Sequence, residues 1–233
     1  MIINAILEYN DKGCLVWAEN YFGAYARGKT PQEAYQKLPA EVARYLRWSE
    51  NRDFEGGEVA VRFESKSSLA VDDADSDILF PSERLPMDMT EYIGKKELIL
   101  RSARDLKTLY LSIPQRNRAL VKSRPTFYGR IPQTAVEMTT HVNNTLSYYA
   151  AGLGIEHENL PDLVENRAAF FKTIERKGDF LNLGVCTASD GESWTPKKLM
   201  RRLLFHDIIH ARALYRKAVS FWGKERILNP FFF

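Results

Sequence analysis

"TPKKLMRRLLFHDIIHARALYRKAVSFWG", residues 195–223, is the stretch on which the reading of the fold turns. Thr195 can cap a helix, Pro196 suits the first helical position because its missing N–H is not needed there, and Gly223 stands where a helix stops. At ~1.5 Å per residue such a helix spans roughly 40 Å, which is bundle length. Projected at about 100° per residue, His206 and His210 fall about 40° apart and share a stripe with Leu199, Leu203 and Ala213. Leu204, Ile208, Ala211 and Tyr215 form a second stripe. A helix apolar on two sides is either buried all round or offers one side to another body, and the spacing suits both. The expectation is that the histidine stripe faces companion helices and that the second stripe faces a symmetry mate or an N-terminal domain.

Working outward, three more helices precede this one. Residues 90–113 place Ile99, Ala103, Leu106, Tyr110 and Ile113 at helical spacing, and residues 131–154 run from Pro132 to Gly152. Residues 161–181 put Leu163, Phe170 and Ile174 on one face. "TASDGESW", residues 187–194, reads as a loop. The simplest architecture for residues 85–233 is a four-helix bundle. Residues 1–80 have a different texture. "MIINAILEY" alternates as a strand, "NDKG" is turn chemistry, and "CLVWA" returns as a second strand. Thr30, Pro31 and Glu33 then open a helix expected to end near Trp48, and "EVAVRFESKS" alternates again. "VDDADSD", residues 71–77, reads as an exposed loop. The predicted class is therefore α+β, a small ββαβ unit followed by a bundle.

Composition excludes several classes. The 233 residues carry 33 Lys and Arg against 30 Asp and Glu, a net charge of +3, so nucleic acid is not an expected partner. No apolar run reaches the ~20 residues a bilayer needs, and the first residues lack the pattern of a signal peptide, so a cytoplasmic location without a membrane partner is expected. Two cysteines, Cys14 and Cys186, fit neither a disulfide framework nor a metal pair. "KKLMRR", residues 197–202, reads as the wet side of a helix, and the terminal "PFFF" is too apolar to leave in water, so it should dock on the chain itself or on a partner subunit.

His141 supplies a third histidine. Its side of the second bundle helix gathers Thr134, Glu137, Met138, Asn144, Thr145 and Tyr148, a polar surface suited to a pocket. Two histidines at i, i+4 can bind one metal from a single helix, and a facing helix can add the third. Three protein ligands leave a position open, the arrangement of a catalytic rather than a structural zinc or nickel site. Glu137 or Asn144 can serve as acceptor for the second ring nitrogen. Buried histidines satisfied by ordinary hydrogen bonds would give the same spacing.

Two resemblances follow from these residues. "GCLVWAENYFGAYARGKTPQEAYQKLPAEVARYL" resembles the HicB-like antitoxin domain through Gly28, Thr30, Glu33 and Ala34, which implies a domain that binds a small protein toxin. "WTPKKLMRRLLFHDIIHARAL" resembles the last helix of the DinB/YfiT family, and "GRIPQTAVEMTTHVNNTLSYYAAGL" resembles its second helix. This second resemblance implies metal ligands at His141, His206 and His210 and a small-molecule substrate. The implied activity is that of a thiol-dependent S-transferase, or a related hydrolase or isomerase, using a low-molecular-weight thiol as cosubstrate. Arg202 and Tyr148, with Glu137, are the candidate catalytic residues, Arg202 for a carboxylate of the thiol and Tyr148 as a proton donor. His157 matches no ligand and is expected to be exposed. The second function class is a HicB-like binding module whose bundle metal is structural or absent. A homodimer is the expected assembly.

Overall fold

The computed structural model describes every residue except Ala74, Phe127 and Tyr128. Strands Ile2–Asn10 (β1) and Gly13–Ala18 (β2) pair antiparallel, and Asn10 Oδ1 closes their turn by accepting the N–H of Lys12 at 2.9 Å. A further strand, Tyr25–Gly28 (β3), pairs antiparallel with β2. It is absent from the sequence-based reading because four residues between glycines leave too little alternation to register. Helix Pro31–Glu50 (α1) begins as expected, with Thr30 Oγ1 accepting from the N–H of Glu33 at 3.3 Å, and it runs two residues past Trp48. Strand Glu58–Lys66 (β4) then lies parallel to β1, giving the order β3-β2-β1-β4. The fold is α+β.

Four helices follow: Met89–Leu111 (α2), Ala135–Ala151 (α3), Leu163–Lys177 (α4) and Pro196–Trp222 (α5). Each begins on a side-chain cap, Asp88, Thr134, Asp162 and Thr195 in turn. Helix α2 packs against α4 and α5, and α3 packs against α5. Pro132 lies outside α3, three residues before its first residue, because the Thr134–Glu137 pair caps the helix later than proline alone suggests.

The second stripe of α5 is now accounted for. Every position of β2 is buried, and Trp17 and Tyr25 meet Phe205 with ring centroids 4.5 and 4.7 Å apart. A Cβ built on Gly23, whose φ is +106°, would stand 2.7 Å from Leu204, so only glycine fits the chain against α5 here. Leu204, Ile208, Ala211 and Tyr215 are all buried within the one chain. The stripe is buried within the same molecule, with Leu204 against Gly23 and Tyr215 beside the Phe233 ring at 6.1 Å, and carries no argument for a homodimer.

Three sequence-based expectations change for physical reasons. Lys198 and Arg201 are buried rather than wet: Arg201 Nε meets Glu83 at 2.5 Å, and Lys198 Nζ meets Glu192 at 2.8 Å and donates to the carbonyl of Ser193. Charge alone does not reveal such buried partners. In residues 71–77, of which Ala74 lies outside the described residues, Val71 and Ser76 are buried against the sheet and α5 rather than exposed. Within 187–194, Thr187 and Ser193 pair as part of a small antiparallel ladder, Cys186–Thr187 with Ser193–Trp194. The terminal phenylalanines dock on the chain itself: Phe231 is fully buried and stacks on Trp48 at 5.5 Å. Among the described residues no helix is long and apolar enough to cross a membrane.

Candidate metal centre

Helices α3 and α5 bring the three histidines together. His206 and His210 sit one turn apart on α5, with ring centroids 4.4 Å apart, and His141 of α3 stands 5.0 Å from each. One ligand atom from each lies within 4.8 Å of the other two, and all three side chains are half-buried. Among the described residues this is the one group of three His, Cys, Asp or Glu side chains close enough to share an ion. Ala213, expected on the inward stripe, is exposed, so the stripe opens to solvent one turn beyond His210.

The electrostatics favour neutral imidazoles. Burial is the main cause of a lowered pKa at each member of the trio, and for His206 the neighbouring His210, His141, Arg202 and Arg167 add to it. Burial together with His141 pulls His210 down to about 3. A neutral ring keeps the lone pair that a metal needs. The donor chemistry also fits a divalent ion: Zn–N bonds of ~2.0–2.1 Å in tetrahedral geometry put ligand nitrogens roughly 3.4 Å apart, so side-chain rotation has little distance to close. Arg202 and Arg167 oppose a cation, but the charge of Arg167 is answered by Asp207 at 3.0 Å.

Asp207 lies between the two histidines in sequence and faces away from them. Its carboxylate accepts from Arg167 Nη2 at 3.0 Å and from the hydroxyl of Ser102 at 2.5 Å, and both ionic side chains are fully buried. Arg167 Nη2 also reaches the carbonyl of Val142 at 3.5 Å. One contact therefore joins α2, α3, α4 and α5 beside the trio. An acid inside the apolar run "LLFHDIIHA" is a visible signal for a buried cationic partner, but its identity requires the fold.

The other candidate residues are engaged elsewhere. Glu137 caps its own helix, Oε2 accepting the N–H groups of Gln133 at 2.7 Å and Thr134 at 3.1 Å, and Oε1 faces Arg130. Tyr148 is 49% exposed, and its hydroxyl lies between the carboxylates of Asp190 at 3.0 Å and Glu192 at 3.2 Å, with one proton to donate to either. Its neighbour Tyr149 is the aromatic ring beside the trio, 6.1 Å from His206. Arg202 is half-buried and makes no salt bridge among the described residues; it donates to the carbonyl of Ser76 and lies over the Tyr149 ring at 5.5 Å. Asn144 is exposed, whereas Thr145, one residue on, has its Oγ1 3.3 Å from Nδ1 of His206. His157 is half-buried rather than exposed, with Nε2 at 2.7 Å from Asn166 Oδ1, because that loop folds back on α4.

A separate cavity of about 210 Å³ lies at the sheet–helix junction, walled by Trp17, Phe22 and Phe80, and none of the histidines lines it. Its lysines, Lys95 and Lys197, both pair with Glu91, at 2.7 and 2.9 Å. No family model, no curated protein and no solved structure matches the chain.

Proposed function

We propose that this chain is a metal-dependent enzyme of the DinB/YfiT kind, in which His141, His206 and His210 hold one divalent ion, zinc or nickel. The observation that carries the reading is the approach of three imidazole ligand atoms to within 4.8 Å, with no carboxylate in the set. Such an ion, when bound, lowers the pKa of a thiol or water at its open position. The chain's own residues would do the rest. The three imidazoles would hold the site on two packed helices, and Arg167 of α4 ties those helices to one another through Asp207 of α5 and the carbonyl of Val142 on α3. Arg202, a cation near His206 that makes no salt bridge among the described residues, would meet an anionic group on a small-molecule substrate or on a low-molecular-weight thiol. The HicB-like unit would then be an accessory that covers one side of α5.

Metal analysis of protein purified without a histidine tag tests this. The expected result is one zinc or nickel per chain, lost in His206→Ala and in His210→Ala. After cobalt substitution, a thiol cosubstrate should alter the visible absorption; if none does, the S-transferase version fails. Metal-free protein that is already stably folded would favour the other reading, a HicB-like binding module with a structural or absent metal.

A further inference from the structure

Thr145 on α3 holds two polar contacts at once. Its Oγ1 donates to the carbonyl of Val142, one turn back, at 2.9 Å, and the same atom lies 3.3 Å from Nδ1 of His206. A hydroxyl has one proton and two lone pairs. With that proton on the Val142 oxygen, Thr145 can only accept from His206, so Nδ1 must carry the ring proton. A neutral imidazole protonated at Nδ1 has its lone pair at Nε2.

We propose that Thr145 is a positioning residue: it fixes His206 as the Nδ1–H tautomer and thereby presents the Nε2 lone pair to the space shared with His141 and His210. The tautomer assignment stands on hydrogen-bond geometry alone; its consequence for a cation rests on the metal reading above. Two features make the threonine suited to the task. Its branched Cβ restricts χ1 on a helix, and the bond to Val142 selects the rotamer that aims Oγ1 across to α5. The converse arrangement, Thr145 donating to Nδ1, would break the shorter of the two contacts and place the ring proton on Nε2, where it blocks coordination.

Long-range ¹H–¹⁵N correlation spectra of the metal-free, full-length chain near pH 7.5 read the tautomer directly. The expected result is His206 protonated at Nδ1. Thr145→Val keeps the shape and removes the hydroxyl; His206 should then shift toward the Nε2–H form. Zinc affinity, by competition with a chromophoric chelator, should fall about 10- to 100-fold. Thr145→Ser should restore both, and a well-dispersed spectrum confirms that each variant is folded. An Nε2–H His206 in the parent, or a tautomer indifferent to Thr145→Val, overturns the proposal. A parent that shows the Nδ1–H form, loses it in Thr145→Val and still binds no zinc upholds the Thr145 assignment and refutes the metal reading instead.

Discussion

Asp207 and Glu8 are both buried acids, and they differ in what answers them. Asp207 has a full guanidinium partner, so removing either member would strand the other charge in the interior of the helices. Glu8, on β1, has no salt bridge among the described residues; its carboxylate accepts the hydroxyl of Ser76 at 2.6 Å and the N–H of Asp77 at 3.3 Å. Burial pushes the Glu8 carboxyl above the usual range, more than Ser76 and Arg201 pull it down. A carboxyl whose folded pKa is raised adds stability that is fully present below the unfolded value of about 4.3 and is lost as pH rises through the folded value. Glu8→Gln keeps one acceptor and cannot ionise, and the Ser76 hydroxyl can reverse to accept from the amide. The variant should therefore be more stable than the parent at pH 7, with the advantage shrinking toward pH 4. Urea unfolding at the two pH values checks this, and equal stability at pH 7 would show that Glu8 carries no such burden.

Helix α5 joins the sheet to the histidines, and its start is built from local chemistry. Thr195 is 1% exposed and accepts the N–H of Lys198 at 3.2 Å. Thr195→Ala would leave that first-turn N–H without its partner at a buried helix end, costing about 1 to 2 kcal/mol. His206 lies three turns further on, so the loss should appear in the melting temperature while the metal stoichiometry stays unchanged; loss of metal with the cap would mean that the whole helix depends on it. This helix also shows what the sequence makes legible. Thr195, Pro196 and Gly223 announce its bounds and the i, i+4 spacing of His206 and His210 announces their shared face, because those are properties of neighbours along one helix. His141 could be placed on a polar face from its own segment. Thr145, Arg167 and Ser102 could not be assigned as partners, since each acts across helices whose rotation is set only by packing. The same limit misplaced Lys198 and Arg201, because a buried cation and a wet one look alike until Glu192 and Glu83 are in place.

At the scale of the molecule, the change of texture near residue 80 marks a change of secondary structure, whereas the packing runs straight across it. Trp17 and Tyr25 from the sheet close on Phe205 of α5, Arg201 lies over the rings of Trp17 and Phe80 at 4.7 and 3.9 Å, and Trp48 of α1 donates to Asp105 of α2 at 2.7 Å. The buried hydrophobic residues other than Val71 form one cluster that runs from Ile3 to Phe231. Neither part can open without exposing large aromatic side chains of the other, each costing a few kcal/mol in water. The sheet and the helices should consequently unfold in a single transition. Amide cross-peaks from β1 and β2 and those from α3 and α4, followed through one urea titration, should vanish at the same midpoint, and Trp17→Ala should lower both midpoints together. Strand signals lost at a lower urea concentration than helix signals would show instead that the first 80 residues are an independent domain, and that α5 keeps its fold without them.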